Sequence, residues 1–198
     1  LQLGVGAGDL GDRVDAVGFG ALTSLVNGDR NTALGNQAGD ALTDGYDNIY
    51  IGHVGAAAEN ATTRIGTSQT RAFMAGIRGR TTGQNDAVAV VVDSAGQLGT
   101  VSSSAKTKFD IEDLPAEVTD AVSRLRPVSF RYKQPFADGS TPVQYGLIAE
   151  EVEQVLPELV AYDEHGDPAT VKYHVLPSLL LAEVQRLQFF LSEAAWDG

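Results

Sequence analysis

Short runs of alternating apolar and polar residues, each ending at glycine, fill the first half of the chain. An apolar residue stands directly before glycine at Val5-Gly6, Val17-Gly18, Leu34-Gly35, Ile51-Gly52 and Ile65-Gly66. Gly18, Gly35 and Gly52 are 17 residues apart, and Asn, Asp and Gly turn residues separate the runs. The pattern predicts short β-strands. Because one such unit cannot bury its apolar edge alone, units must stack on one another or on neighbouring chains. A flexible glycine-rich linker is the alternative.

A β-branched run at residues 87–92 predicts a buried strand, which the turn residues 93–96 reverse. Residues 97–101 can then return antiparallel and complete a hairpin. This hairpin leads into three consecutive serines at residues 102–104, with Lys108 five positions after the middle one.

Helical spacing of apolar residues dominates the second half. Residues 115–126 predict a first helix, which Pro127 stops. Asp113 is placed to cap this helix and Pro115 to open it. The pattern then predicts a strand at residues 129–132, a second helix at 148–156, and paired strands at 159–162 and 170–173.

The apolar residues of the last helix recur at intervals of 4, 3 and 4, which is the spacing of a coiled coil. They are Leu180, Val184, Leu187 and Leu191. The spacing lasts for fewer than two heptads, so we expect the coiled coil to be anchored by the domain that it leaves. An amphipathic helix that packs on its own domain is the alternative.

The composition of the chain changes sharply at the serines. Of the 22 glycines, 18 precede the serines and 4 follow, whereas all 7 prolines and all 4 lysines lie after Ser104. Such a break marks a boundary between two architectures. We therefore expect an α+β protein in three parts. Residues 1–86 form a Gly-rich repetitive β head or shaft, residues 87–175 a compact α+β domain, and residues 176–198 a C-terminal helix with a short coiled coil.

The charge balance excludes some classes of partner. Lys and Arg number 14 against 26 Asp and Glu, which gives a formal net charge of −12. Nucleic acid and anionic membranes both need a basic footprint, so neither is an expected partner. No run approaches the roughly 18 consecutive apolar residues of a membrane span, so we expect no membrane insertion. The first residues lack a signal-peptide pattern, and we expect the chain to be part of a longer protein.

Metal and cofactor chemistry find little support in the sequence. His53, His165 and His174 are scattered and none has metal-ligand spacing to another histidine, so we expect no metal and no cofactor. Residues 163–167 (DEHGD) suggest a calcium loop only faintly, and an ordinary turn is the favoured interpretation.

The segment NTALGNQAG is the most specific motif of the first half. Over residues 5–80 the chain resembles the left-handed parallel β-roll heads of trimeric surface adhesins, and the Gly-rich shafts that precede chaperone domains in tail-fibre proteins. The resemblance implies a homotrimer whose head binds a host-surface receptor or glycan. It also implies a location on a phage virion tail fibre or on a bacterial cell surface.

Four motifs of the second half occur in the order and spacing of one known family. They are KFDIEDL, LRPVSFRYK, YGLIAEEVEQVLPELV and VKYHVLPSLLLAEVQRLQ. Over residues 96–188 the chain resembles the C-terminal intramolecular chaperone of phage tailspikes and endosialidases, a family that includes the autocleaving domain of the myelin regulatory factor. The resemblance implies a trimeric folding clamp that releases itself by autoproteolysis with a Ser–Lys pair.

The resemblance also implies which residues form that pair. The family pattern has a serine five residues before the lysine and an apolar residue three residues after it. In this chain Ile111 selects Lys108 over Lys106 as the base, and therefore Ser103 as the nucleophile. The implied cut lies between Ser102 and Ser103. A self-cleaving serine endopeptidase would make it once, in cis.

Serine is a poor nucleophile until a base removes its proton. Lysine acts as that base only when it is neutral, a form that burial favours. The chain departs from the family pattern at Ala105, where a basic residue is usual, and at Thr107, where a larger side chain is usual. Glu150 or Glu151 is a candidate to orient Lys108, although a solvated helix face explains each equally well. A Ser/Thr-rich linker with solvated lysines is the alternative to a dyad.

Two functions remain open at this point. The first is an intramolecular trimerisation chaperone of a fibre or surface-appendage protein, released by autoproteolysis. The second is a non-cleaving trimeric tip, structural or adhesive, in which the domain stays as a permanent cap and the Gly-rich head does the binding. The net charge of −12 argues against a DNA-binding regulator, and the lack of a recognisable pocket motif against a conventional hydrolase.

Overall fold

Residues 14–194 are described by the computed structural model of the chain. The chain divides into two compact units, Leu1–Thr82 and Gly83–Gly198. The predicted Val5-Gly6 step lies outside the described residues. Within residues 14–194, no helix is both long enough and apolar enough to cross a membrane.

A four-stranded parallel sheet, with its strands in chain order, forms the first unit. The strands are β1 (Val14–Val17), β2 (Asn31–Leu34), β3 (Ile49–Ile51) and β4 (Thr63–Ile65). Val14 pairs with Asn31 and Thr32 with Ile49, in each case 17 residues further on, whereas Ile49 pairs with Thr63, 14 residues further on. The units that the glycine spacing predicts therefore stack on one another, and the last unit is the shortest.

Glycine is required where two successive turns of the chain touch. A Cβ atom at Gly18 would lie 2.1 Å from the carbonyl oxygen of Gly35, and one at Gly28 would lie equally close to that of Gly45. Both Gly18 and Gly28 also have positive φ angles, of 144° and 154°. Because no side chain fits at this distance, the stacking of the turns explains the regular return of glycine in the sequence.

The side chains of the first unit separate into an inner and an outer set. The buried apolar side chains are Ala21, Leu22, Leu25, Ala33, Ala38, Leu42 and Tyr50. Asn31 and Asn48 are buried with them. Because strand side chains alternate between two faces, the apolar residues that precede glycine point outward instead. Val17, Leu34, Ile51 and Ile65 are all exposed, and we call these four residues the outer stripe.

Within residues 83–194, three α-helices and three antiparallel strand pairs form the second unit. The helices are α1 (Ala116–Ser123), α2 (Ala149–Glu153) and α3 (Leu176–Ala194). The strand pairs are β5 (Val91–Val92) with β6 (Leu98–Gly99), β7 (Val128–Phe130) with β8 (Gln144–Gly146), and β9 (Val160–Tyr162) with β10 (Pro168–Val171). This mixture of helices and small sheets is compatible with the predicted α+β class.

Residues from α1, α2, the β9–β10 pair and the start of α3 enclose the core of the second unit. The buried side chains are Ala121, Val122, Val152, Leu156, Leu159, Val160, Val171 and Leu179. Arg186 of α3 forms ion pairs with Asp120 of α1 and with Glu183, each at 2.8 Å. Beyond Arg186, residues 187–192 are all exposed. The core therefore anchors only the first part of α3.

Two details predicted for the second unit are wrong. Residues 87–92 are not a buried strand, because only Val91–Val92 form a strand and no described element covers the run, so that Val88, Val90 and Val92 are exposed. Asp113 does not cap α1. The N-cap residue is Pro115, whose side chain has no oxygen to accept a hydrogen bond, and the described residues provide no side-chain cap there.

Candidate functional site

Ser103 and Lys108 flank a single turn of 3₁₀ helix, Ala105–Thr107. Ser104 caps this turn, because its Oγ accepts a hydrogen bond from the backbone N–H of Lys106 at 3.3 Å. A serine hydroxyl that accepts from the second residue of a helix is the usual N-cap arrangement. The local sequence therefore holds the two proposed dyad residues at opposite ends of one short element.

A set of hydroxyl bonds joins the residue before the proposed cut to the residue before the lysine. Ser102 Oγ and Thr107 Oγ1 lie 3.1 Å apart, and Thr107 Oγ1 donates to the carbonyl of Ser104 at 2.9 Å. The backbone N–H of Ser104 donates to Ser102 Oγ at 3.3 Å. Sequence reasoning noted Thr107 only as a departure from the family pattern. The three-residue spacing of Ser104 and Thr107, typical of hydroxyl-capped turns, was the signal that it missed.

The proposed dyad residues are exposed and not bonded to each other in the single chain. Among the described residues, Ser103 and Lys108 share no hydrogen bond, and both side chains face solvent. Between residues 67 and 117 only Val91 and Gly99 are even half-buried. Lysine becomes an effective base when it is removed from water. The single chain does not supply that burial.

Glu151 is engaged by an arginine rather than by the lysine. Its Oε2 accepts a hydrogen bond from Arg126 Nε at 3.0 Å. This bond holds the pKa of Glu151 below its usual range and raises the pKa of Arg126. Glu150 lies exposed in the first turn of α2. Of the two candidates to orient Lys108, Glu151 is therefore bonded to Arg126 instead of to the lysine.

The candidate metal-binding residues take part in ordinary local bonds. Asp163 Oδ1 accepts the backbone N–H groups of His165 and Asp167, both at 2.9 Å, and so closes the turn between β9 and β10. His53 Nδ1 accepts the N–H of Gly55 at 2.8 Å. Over residues 14–194, no group of three or more His, Cys, Asp and Glu residues is placed to hold a metal ion.

A polar cluster lies at the last turn of the first unit. Tyr50 is fully buried, and its hydroxyl donates to Glu59 at 2.9 Å. Arg64 Nη2 donates to the same carboxylate at 2.8 Å. Burial acts to raise the pKa of Glu59, but the bonds from Arg64 and Tyr50 outweigh burial and hold that pKa below its usual range. Burial, with the bond to Glu59, raises the pKa of Tyr50. Because these groups satisfy one another, the cluster closes the end of the core.

One family model matches part of the second unit. Residues 103–161 match the family described as chaperone of endosialidase. The matched region begins at Ser103, includes Lys108, α1 and α2, and ends within β9. The resemblance found from the motifs is confirmed in this region, and the match supports an intramolecular chaperone domain within the second unit. No curated protein matches the chain.

Proposed function

We propose that the chain is the trimerisation chaperone of a fibre or surface-appendage protein together with part of the fibre, and that autoproteolysis between Ser102 and Ser103 separates the two. The extent of the family match carries this proposal. The matched region begins at Ser103, the residue that becomes the N-terminus of the released part. The Gly-rich first unit then stays with the mature fibre.

Exposed apolar side chains on α3 and on the first sheet support a homotrimer. On α3, Leu180, Val184, Leu187 and Leu191 are between 46% and 71% exposed. The outer stripe exposes four further apolar side chains on the first unit. Contiguous exposed apolar surface on a soluble chain marks an interaction site. In the trimer, three α3 helices bury their exposed apolar residues against one another as a short coiled coil. Three copies of the first unit bury their outer stripes.

The strand pairing of the first unit supports a β-roll head. Parallel neighbours need a connection that leaves the sheet and returns to it. Here turns make each connection, and Arg30, Asp47 and Ala61 hold φ angles of 57°, 61° and 52° at equivalent positions just before a strand. Each connection therefore ends in the same backbone conformation before its strand. Side chains in these connections are the surface that we assign to a host receptor or glycan.

A removable chaperone solves a folding problem of stacked β chains. The proposed trimer must align three heads in register, and contacts between separate chains are non-local contacts of the kind that form slowly. A globular trimer at the C-terminal end raises the effective concentration of the three heads. After the chaperone has been cut away, heads that separate cannot easily reassemble, so the product is held kinetically.

The proposed cut needs only groups of the chain and water. The hydroxyl oxygen of Ser103 attacks the carbonyl carbon of Ser102 while Lys108 takes the hydroxyl proton. The C–N bond then breaks and Lys108 returns the proton to the new amine of Ser103, which leaves Ser102 as an ester on the Ser103 oxygen. Water hydrolyses this ester to a carboxylate and a free hydroxyl. Because Lys108 needs burial, we expect cutting to follow assembly.

A non-cleaving trimeric tip is the second candidate function. The absence of a hydrogen bond between Ser103 and Lys108 in the described residues, and the exposure of both, favour it. In this alternative the lysine stays in water in the assembled protein, the second unit remains as a permanent cap, and the first unit does the binding.

The intact mass of the freshly expressed chain, beside that of Ser103→Ala, tests the proposal. With autoproteolysis, the wild type splits between Ser102 and Ser103 and the variant stays whole. Lys108→Ala should also stay whole and keep a trimeric mass, whereas the matched control Lys106→Ala should still split. Whole wild-type chains of trimeric mass favour the permanent tip. Cutting that persists in Lys108→Ala contradicts the dyad.

A further inference from the structure

A small cleft lies where the carboxyl-terminal end of α1 meets α2. Its volume is about 190 Å³. Four of its eight lining residues are apolar, namely Leu125, Ile148, Val152 and Val155. The other four are polar or charged, namely Arg124, Arg126, Glu151 and Gln154. Val152 is buried, and the other three apolar residues are half-buried, so the cleft opens onto the apolar core of the second unit.

The size of the cleft limits what can occupy it. Pockets for drug-sized ligands measure roughly 300–1,000 Å³, which is larger than this cleft. A cavity of about 150 Å³ accommodates a benzene ring. The volume of the cleft, about 190 Å³, therefore suits one aromatic side chain.

The two arginines of the cleft differ in their pairing. Arg126 is bonded to Glu151 at 3.0 Å. Arg124 is exposed and forms no ion pair with any of the residues described. Because Glu151 is taken up by Arg126, Arg124 is the unpaired charge beside the apolar half of the cleft. This arrangement fits an occupant that combines an aromatic or aliphatic side chain with a carboxylate.

The segment directly after Lys108 has this combination. Residues 109–114 have the sequence FDIEDL, in which acidic and apolar residues are interleaved. Phe109 is 87% exposed and Ile111 66%, so the single chain leaves both side chains uncovered. Asp110 and Glu112 are exposed beside them, and neither has an ion-pair partner within residues 14–194.

We propose that Phe109 of one copy inserts into this cleft on a neighbouring copy, with Asp110 and Glu112 facing Arg124. This inference rests on the proposed trimer. The inserted segment and the cleft are different surfaces of the same chain, and a head-to-tail contact of this kind forms a ring when the rotation between copies closes. A second copy is the occupant, because the chain's own segment leaves Phe109 in solvent.

The contact also changes the surroundings of the dyad. Lys108 is next to Phe109 in the sequence, so the copy that covers Phe109 also displaces water from the lysine. That burial is what the single chain lacks. The same contact thus couples assembly to self-cleavage.

Engineered cysteines test the contact directly, because the chain has no cysteine of its own. Asp110→Cys and Arg124→Cys are combined in a Ser103→Ala background, which keeps every chain whole. Under mild oxidation we expect disulfide-linked dimers and trimers on a non-reducing gel, and single chains after reduction. Asp110→Cys with Lys133→Cys is the matched control, since Lys133 is exposed but does not line the cleft. This control should give little linked product.

The native mass of the Ser103→Ala parent separates two kinds of failure. If the parent is trimeric and the cysteine pair links only within one chain, or not at all, the docking is overturned and the chaperone proposal stands. If the parent is monomeric, the trimer and the docking are overturned together.

A charge reversal checks how the segment is recognised. Arg124→Glu should weaken association between copies roughly two- to fivefold, as expected for an exposed ion pair. Glu112→Arg in the same chain should restore association, and Lys133→Glu, outside the cleft, should leave it unchanged. Unchanged association in Arg124→Glu, or a loss that Glu112→Arg does not reverse, contradicts the contact.

Discussion

The two units of the chain place their apolar residues in opposite ways. In the first unit, each turn of the chain covers the previous one, and a narrow core that includes the fully buried Tyr50 is completed within one copy. In the second unit, a small core forms between the helices and the β9–β10 pair, while residues 83–117 lie almost entirely in solvent. The comparison indicates that the first unit is complete in itself except at its outer stripe. The second unit has surfaces that remain to be covered.

The polar groups of the two units differ in the same way, because the amides of Asn31 and Asn48 in the first unit are buried and the polar groups around Ser103 are exposed. Asn48 Nδ2 donates to Asn31 Oδ1 at 3.0 Å and to the carbonyl of Glu59 at 2.8 Å, and Asn48 Oδ1 accepts the N–H of Thr62 at 3.1 Å. One buried amide therefore ties together three successive turns of the first unit. The side-chain bonds of the segment around Ser103 are all exposed hydroxyl bonds, which water can replace at little cost.

The largest expected effect comes from emptying the core of the first unit. Tyr50→Ala removes a fully buried ring and should destabilise that unit by about 3–5 kcal/mol. Hydrogen exchange read by mass spectrometry should show lost protection at residues 14–66 and unchanged protection at 116–186. Tyr46→Ala, at a ring that is 49% exposed, is the matched control and should change stability by about 0.5 kcal/mol or less. Equal loss in both units would contradict the contrast between them.

A substitution on α3 tests whether the second unit is completed by other copies. Leu187→Asp leaves the core intact but should cost each chain about 1.5–3 kcal/mol of burial in a trimer, because it replaces an apolar seam residue with a charge. We expect sedimentation analysis to show loss of the trimer, with the protection of α1 and α2 unchanged. Gln188→Asp, one residue outside the seam, should remain trimeric. A trimer that survives Leu187→Asp rules out the coiled coil.

Removing the buried amide of Asn48 in the first unit should cost as much stability as the change on α3, or less. Asn48→Ala leaves the N–H of Thr62 and the carbonyl of Glu59 without that partner, and should cost about 1–3 kcal/mol. The urea midpoint of the first unit should fall accordingly. Asn36→Ala is the control, since Asn36 is exposed. If the two variants have the same midpoint, the bonds between turns contribute nothing to stability.

The smallest expected effect is a dependence of the first unit on pH. The folded state lowers the pKa of Glu59 from the ordinary value of 4.5, so the unfolded chain takes up a proton first as the pH falls. The contribution of Glu59 is therefore fully present above that ordinary value and is lost as the pH falls through the lower folded pKa. Melting curves of Glu59→Gln should show a flatter dependence on acid than the wild type. Glu150→Gln, at an exposed carboxyl, should follow the wild type.

Some of the fold could be predicted because it depends on neighbours in the sequence. The spacing of Gly18, Gly35 and Gly52 predicted the stacked turns, and the register of the strands repeats it. The sequence also shows the alternation of side chains along each strand, but it does not indicate which of the two faces is buried. Ala33 lies inside and Leu34 outside, and their register partners Tyr50 and Ile51 do the same. Residue size therefore does not decide the inner face. The buried face is the one against which residues of the connecting turns, such as Leu22 and Leu42, pack.

The candidate site was predictable only in part, for a related reason. The motifs located the chaperone region that begins at Ser103, and the family match agrees with them. The prediction of a buried strand at residues 87–92 was wrong, because a β-branched run indicates strand preference but not the presence of an element to cover it. The bond between Ser102 and Thr107 was missed because family comparison looks for shared residues, and Thr107 departs from the family pattern.

By itself, the sequence determined where the chain turns in the first unit and which residues share a period. These are local properties, set by glycine at close approaches and by the alternation of side chains along a strand. Only the tertiary structure decided that Tyr50 is buried against Glu59, that Glu151 pairs with Arg126, and that Phe109 stays uncovered. Each of these depends on which distant surfaces meet, and no short stretch of sequence contains that information.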